Sequence, residues 1–391
     1  MYVLINTDMR FVVPNRKLRI GERTEAARPR SAALRELFDD RPLVLTTPGS
    51  VNWITGGLSD PIDVTTSSDP VWVVESQSGR ALVTSEIEGP RLAGDFDLAA
   101  LGWNLITVPW FDADAQRAAV TDFADVAPHH FLSDREGLGQ NVTSDVVRTR
   151  MVLSAPEQDD LRSLGALVGF ALAQGVDAWS PGRTKDFEVA AVVSATLERF
   201  GATAVCLIVG GDDRLRSIRH PLALGDVLHD AMMVVVVARR GGLHVAATRT
   251  AVRWSNDPII DLVHQLGAVH ERVLRASLPG GTWGEAVDEL GAGYEFIGHG
   301  GAWREHFQGG PIAFEQREFE MAPGQKDSPY WDVASCTGTA VAWNPSLRGG
   351  AKIEETYLVR ANDVELVTVT DGWPLTTVGA GPQHSDVKVV Q

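Results

Sequence analysis

The sequence predicts an α/β (α+β) protein of two domains, a small N-terminal α/β domain at 1–148 and a larger domain at 149–391. Three observations carry this. The chain has 391 residues, more than twice the ~150 common for one domain. Helical and strand-type patterns alternate between residues 31 and 125, as they do where helices pack on a sheet. Residues 142–156 mix Thr, Ser and Arg without a sustained period and read as the connection between domains.

Taken in order, 31–39 (SAALRELFD) spaces Ala and Leu along one helical face, and 42–47 is a short apolar run closed by Pro48 and Gly49. Residues 71–75 and 81–84 read as strands across a turn at 77–80, 86–98 as a helix and 104–108 as a strand. In the second domain, Ser154 with Glu157 three positions on has the form of a capping box for a helix to about 174. A second helix covers 184–200. Strands follow at 204–209 and 232–237, the latter valine-rich like a strand buried on both faces, with 243–250 as its pairing partner. Residues 259–277 form a helix stopped by Pro279-Gly280-Gly281, and from Gly298 the pattern is strand and loop, with 351–358 as a strand.

Composition narrows the function classes. Lys and Arg number 35 against 51 Asp and Glu, a net charge of −16, and that field repels nucleic-acid phosphates and anionic lipid. Nucleic acid and membrane are therefore not expected partners. The longest apolar run, 231–238, is far short of the ~20 residues of a membrane helix. The first twenty residues break every apolar stretch with polar side chains and do not have the form of a signal peptide. Cys206 and Cys336 are too few for a disulfide framework, so a reducing, cytoplasmic setting is expected.

Several segments, in order, resemble the creatinase/aminopeptidase P family. They are Asn52-Trp53-Ile54-Thr55-Gly56, Arg150 through Arg162 (RMVLSAPEQDDLR, with Leu153 where Lys is usual), Pro181-Gly182-Arg183-Thr184, Arg219-His220-Pro221, Gly225-Asp226, Thr248-Arg249-Thr250, Pro279-Gly280 and Gly350-Ala351-Lys352-Ile353-Glu354. The resemblance covers nearly the whole chain and implies that the C-terminal domain has the pita-bread fold. It also implies a homodimer, with the small domain of one subunit closing the pocket of the other.

The family's peptidases hold two divalent metals with two Asp, one His and two Glu. Carried onto this sequence, those positions fall near Val235, Ala246 and Gly310, at Asn344, and at Glu354. Only the last keeps a carboxylate, and aliphatic side chains offer no metal donor. No metal and no other cofactor is therefore expected. Creatinase uses this fold without metal, with a histidine as acid and base. The resemblance places His220 on that histidine, His306 on a second one, Glu354 on a carboxylate that binds a cationic group, and Arg317 on an arginine that can clamp a carboxylate. Other creatine-binding positions fall at Ala268, Ile62 and Val64, which makes creatine itself an unsuitable substrate.

These residues predict a metal-independent hydrolase of a C–N bond, amide or amidino, in a small polar molecule. A histidine near neutral pKa can take and return a proton at physiological pH. A catalytically inert pita-bread domain that binds a peptide or protein, or a non-hydrolytic C–N or C–S lyase, are the competing readings. Each residue also has a plainer use: His220 on a surface loop, His306 capping a turn, Glu354 paired internally with Arg317 or Lys352, Arg317 paired with Glu318 or Glu320. His264 and His229-Asp230 have no metal-like spacing, His270-Glu271 reads as a solvated helix face, and Trp303, Trp331 and Trp343 read as core packing.

Overall fold

The computed structural model describes residues 16–59, 65–379 and 381–390. The segment 1–15 and positions Ile62 and Val64, read above for a signal peptide and for creatine binding, lie outside the described residues. The chain divides into two compact units. One ends at Glu157 and includes Gly241–Leu243; the other holds Gln158–Arg240 and the chain from His244 onward.

The first unit contains α1 (Arg16–Glu36), β1 (Leu43–Leu45), α2 (Pro48–Ile54), β2 (Trp72–Ser76), β3 (Gly79–Ser85), α3 (Gly89–Asp95), β4 (Asn104–Val108), α4 (Ala115–Ala124), β5 (Leu132–Ser133), β6 (Gln140–Asn141) and α5 (Thr143–Arg150). Its six strands form one mixed sheet in the order β4-β3-β2-β1-β5-β6. Val44, Trp72, Val74, Ala81 and Val83 gather on one face with Val120 and Ala124 of α4, while Leu43, Leu45, Val73 and Leu82 are equally buried on the other. Both faces are thus covered, which is why these strands read as continuous apolar runs.

Two expectations are corrected in this unit. α1 begins fifteen residues before the predicted 31–39 helix, because its buried stripe, Ile20, Thr24, Ala27, Ser31 and Leu34, has helical spacing but is partly polar. The stretch 142–156 contains α5 rather than a plain connection. Its buried face includes Arg150, whose Nη1 donates to Ser50 Oγ at 2.7 Å, so no apolar period announces it.

The rest of the chain forms α6 (Ala155–Asp177), α7 (Asp186–Arg199), β7 (Thr203–Gly211), α8 (Asp212–Ser217), β8 (Ala231–Arg240), β9 (Leu243–Val252), α9 (Pro258–Ala276), α10 (Trp283–Phe296), β10 (Gly309–Pro311), β11 (Ala340–Trp343), β12 (Ser346–Leu347), β13 (Ala351–Lys352), β14 (Tyr357–Val359), β15 (Val364–Leu366), β16 (Leu375–Thr376), β17 (His384–Ser385) and β18 (Lys388–Val389). Two four-stranded sheets dominate, β18-β9-β8-β7 and β10-β11-β14-β15. β9 stitches them together: His244 N donates to Ala313 O at 2.7 Å, Thr248 N to Glu354 O at 2.9 Å, and Ala246 N to Thr356 Oγ1 at 3.0 Å. Glu157 caps α6 by accepting from Ser154 N at 2.6 Å. On α6, Gly165 and Gly169 face the carbonyls of Val367 and Val369, where a Cβ would sit 2.3 and 2.1 Å away; one helical turn of glycine lets the strand layer approach. Among the described residues no helix is long and apolar enough to cross a membrane.

Candidate functional site

His220 is fixed by the segment before it. Gly210 and Gly211 lie beyond the predicted 204–209 strand and end β7 in register with Met233 and Met232. Glycine is required there because a Cβ on Gly210 would meet Pro221 at 2.5 Å, and one on Gly211 the carbonyl of Ala231 at 2.2 Å. The chain then bends at Asp212, whose φ of 52° is costly for a non-glycine residue. The Asp212 carboxylate offsets that cost by accepting the N–H groups of His229, Asp230 and Ala231 at 2.8, 2.7 and 3.1 Å. α8 follows, anchored by Arg216 on Asp257 with two bonds of 3.1 and 2.7 Å, and His220 emerges just beyond it on an exposed stretch.

His306 comes from the other side, after the single turn Ala302–Glu305. Gln308 holds that turn: its Nε2 donates to His306 O at 2.7 Å and Trp303 O at 3.1 Å, and its Oε1 accepts from Tyr294 OH at 2.9 Å. The His220 and His306 rings lie 5.3 Å apart at 50°. The residues preceding them, Arg219 and Glu305, form an ion pair, so the two histidines are held by a bracket one residue back in each segment. Arg348 adds a second guanidinium on Glu305 at 3.0 and 3.1 Å.

Glu354 lies between β13 and β14 rather than within one strand. Thr248 Oγ1 donates to its Oε2 at 2.8 Å, Asn344 Nδ2 to its Oε1 at 3.1 Å, and Lys352 Nζ stands 3.4 Å from Oε2. Both charged side chains are about 5% exposed, 5% for Lys352 and 6% for Glu354. The carboxylate therefore has an internal cation and two donors, which removes the desolvation problem of a lone buried charge. Arg317 is exposed, pairs with Glu320 at 2.7 Å and lies 3.9 Å over the Phe307 ring.

Loss of solvation, partial for the surface-lying His220 and deep for His306, with the positive charge of Lys352 next in size, lowers the pKa of both histidines. For His306 the fall is to about 2, helped by His220, Arg219 and Arg317. For His220, Glu354 opposes the shift. Both imidazoles are neutral at pH 7. His220 is thus a base with a free lone pair, and His306 a neutral hydrogen-bonding group that does not become a cation in the physiological range. Cys206, on β7, feels the same charges, with burial and then Glu354 pushing its thiol up, so it is not a thiolate.

Of the positions to which the resemblance assigns metal ligands, Val235 and Ala246 are buried aliphatic side chains and Gly310 has none. Asn344 spends its amide on Glu354. Among the described residues no group of three or more His, Cys, Asp or Glu is placed to hold a metal ion. The residues present do not fit the family's metal pair. Beside His220 lies a recess of about 90 Å³ whose lining includes Arg216, Arg219, Ser346, Arg348 and Lys352.

The sequence reading missed Lys352 as the cation facing both histidines, the Arg219–Glu305 bracket, and Cys206. Arg219 and Lys352 stand within quoted motifs, but their partners are 86 and 2 residues away, and nothing in the motif says which way a side chain turns. His270 corrects another expectation: it is 1% exposed, packed 5.6 Å from Tyr357 and 5.8 Å from His384. Its position follows Val263 by seven and Leu266 by four, which is the apolar stripe of α9. His264 pairs with Asp386 at 3.0 Å.

No family model matches the chain, and the comparison with curated proteins finds no match. Solved structures do match. Dipeptidase PepE from Mycobacterium ulcerans superposes with a TM-score of 0.73 at 19% identity, over 95% of this chain and 99% of that one. An X-Pro aminopeptidase from Thermotoga maritima MSB8 gives 0.65 at 16%, over 92% and 100%. The N-terminal domain of the FACT complex subunit SPT16 from Cicer arietinum (chickpea) gives 0.63 at 13%, over 90% and 96%. At such identities the likeness is one of fold, and the fold of this chain is the α/β pita-bread fold of the dipeptidase and X-Pro aminopeptidase structures.

Proposed function

We propose that the chain is a hydrolase of a C–N bond, amide or amidino, in a small polar molecule, and that it works without a metal ion. The observation that carries this is the pair of neutral imidazoles, His220 and His306, 5.3 Å apart beside the buried ammonium of Lys352. His220 accepts a proton from a water as the water oxygen bonds to the carbonyl or amidino carbon. It then returns the proton to the nitrogen, which leaves with the electron pair of the broken C–N bond. His306 donates its N–H to position the substrate, and Lys352, oriented by Glu354, opposes negative charge that develops on the substrate. Glu354 and Arg317 meet charged substrate groups only by loosening their bonds to Lys352 and Glu320, so any such role is a competition.

A binding domain without catalysis is the second reading. It is favoured by the small recess, well below the ~300 Å³ of common ligand pockets, and by the likeness to a domain of a complex subunit. Incubating chelator-treated protein with a panel of small amides and amidino compounds, and measuring released amine by mass spectrometry, separates the two. Turnover that is indifferent to chelation is expected. Turnover that appears only when Mn, Co or Zn is added would overturn the metal-free mechanism, and no turnover across the panel favours binding.

A further inference from the structure

We propose that the recess walled by Arg216, Arg219, Ser346, Arg348 and Lys352 is an anion subsite, and that its occupant is a carboxylate of the substrate. The second half rests on the hydrolase reading; the first does not.

None of the residues lining the recess is acidic, in a chain whose net charge is −16. Four cations line it. Three carboxylates stand behind them: Asp257 on Arg216, Glu305 on Arg219 and Arg348, and Glu354 on Lys352. The local balance is 4 − 3 = +1, which matches a monoanion better than a phosphate dianion.

The hydrogen-bond accounting points the same way. Arg219 gives Nη2 to Glu305 and Nη1 to Ser346 Oγ at 3.2 Å, but its Nε is buried with no acceptor among the described residues. An unmet buried donor on a charged group is costly and leaves the Arg219 guanidinium with hydrogen-bonding capacity not spent within the protein. The Ser346 hydroxyl accepts from Arg219 and keeps its own proton to donate. At about 90 Å³ the recess is well below the ~300 Å³ of common ligand pockets, a size that suits one small group such as a carboxylate. Arg219 of the lining directly precedes His220 in the chain, and the hydrolase reading takes the occupant to be one end of a molecule whose scissile bond reaches the imidazole.

The test is calorimetric titration of the full chain with acetate at low ionic strength, with inorganic phosphate as a separate arm. Saturable binding of one acetate is expected, weakened at least ~10-fold in Arg219→Gln, the loss of one charge-assisted hydrogen bond. Arg348→Gln, at a side chain 78% exposed and so safe for folding, should also weaken it. Arg360→Gln, whose partner is Asp363, should not. Absence of saturable acetate binding, equal loss in Arg360→Gln, or tighter binding of phosphate than acetate would each overturn the proposal. Acetate binding in a protein that turns over no amide or amidino compound would sink the hydrolase reading and leave the subsite standing.

Discussion

His220 and His306 are 86 residues apart in the chain, and the contact between their rings depends on the two residues before them. Arg219 and Glu305 do the holding, which leaves both imidazoles available for the proton transfer proposed above. That division predicts a pH profile. Burial and Lys352 lower the His220 pKa below its usual 6.5, so the base form predominates at pH 7. kcat/KM should be level from pH 7 upward and fall on the acid side with an apparent pKa below 6.5, measured on any compound the panel identifies. His306, at about 2, should add no limb. An acid limb at or above 6.5 would mean that Lys352 does not face His220. At this scale short motifs picked out His220 and His306, whose rings the structure brings to 5.3 Å, but not the charge that acts on them. Lys352 was foreseen as a partner of Glu354, two residues on, but not as the charge that lowers the pKa of both histidines.

At the scale of elements, periodicity found α6, α7, α9 and the β7–β9 strands within a few residues. It failed where the buried face is polar, as in α1 and α5, and it passed over α10, whose glycines at 284, 291 and 293 depress helix propensity while Thr282 and Glu285 close a capping box. β9 shows the same limit. Its Thr-Arg-Thr motif resembles a family feature, and the structure gives it a structural use: Arg249 is wholly buried, pairs with Glu355 at 2.8 Å, and donates to Thr368 O at 2.6 Å and Thr370 Oγ1 at 2.8 Å. Arg249→Ala strands the Glu355 carboxylate and should lower unfolding free energy by about 3–5 kcal/mol, read by denaturant melts. An effect below about 1 kcal/mol would show that water reaches Glu355.

α9 and β17 add a pH dependence of stability. His270 and His384 are buried and their pKa values lie below 6.5, chiefly because burial disfavours the cation. Glu355 and Asp386 pull His384 upward, His264 pushes it down, and His384 itself lowers His270. The unfolded chain takes up these protons as pH falls below about 6.5; the folded chain does not. Stability is therefore full above 6.5 and is lost as pH drops from there, toward the lowered folded values. The thermal midpoint should fall between pH 7 and 5.5, and His270→Phe should flatten that slope. An unchanged slope in this variant would assign the acid sensitivity elsewhere.

For the whole molecule, the pita-bread fold was legible because eight short motifs keep their order over the chain, although identity to the three superposed structures is 13–19%. Length and charge set the class; order of motifs set the fold. The assembly is a prediction that the single chain does not carry: light scattering at micromolar concentration should give about 84 kDa, twice the 42.2 kDa chain, and 42 kDa would remove the idea of a pocket shared between subunits.

The metal-free hydrolase proposed above places the proton transfer on His220. That assignment is tested most directly by turnover of His220→Ala and His220→Asn under chelation, with thermal midpoints measured in parallel. A loss of at least ~10²-fold is expected in both variants, with midpoints close to that of the unaltered protein, since His220 is exposed and among the described residues makes no hydrogen bond that Asn could restore. Full turnover in either variant, or a loss that tracks a lowered midpoint and is restored by Asn, would contradict it.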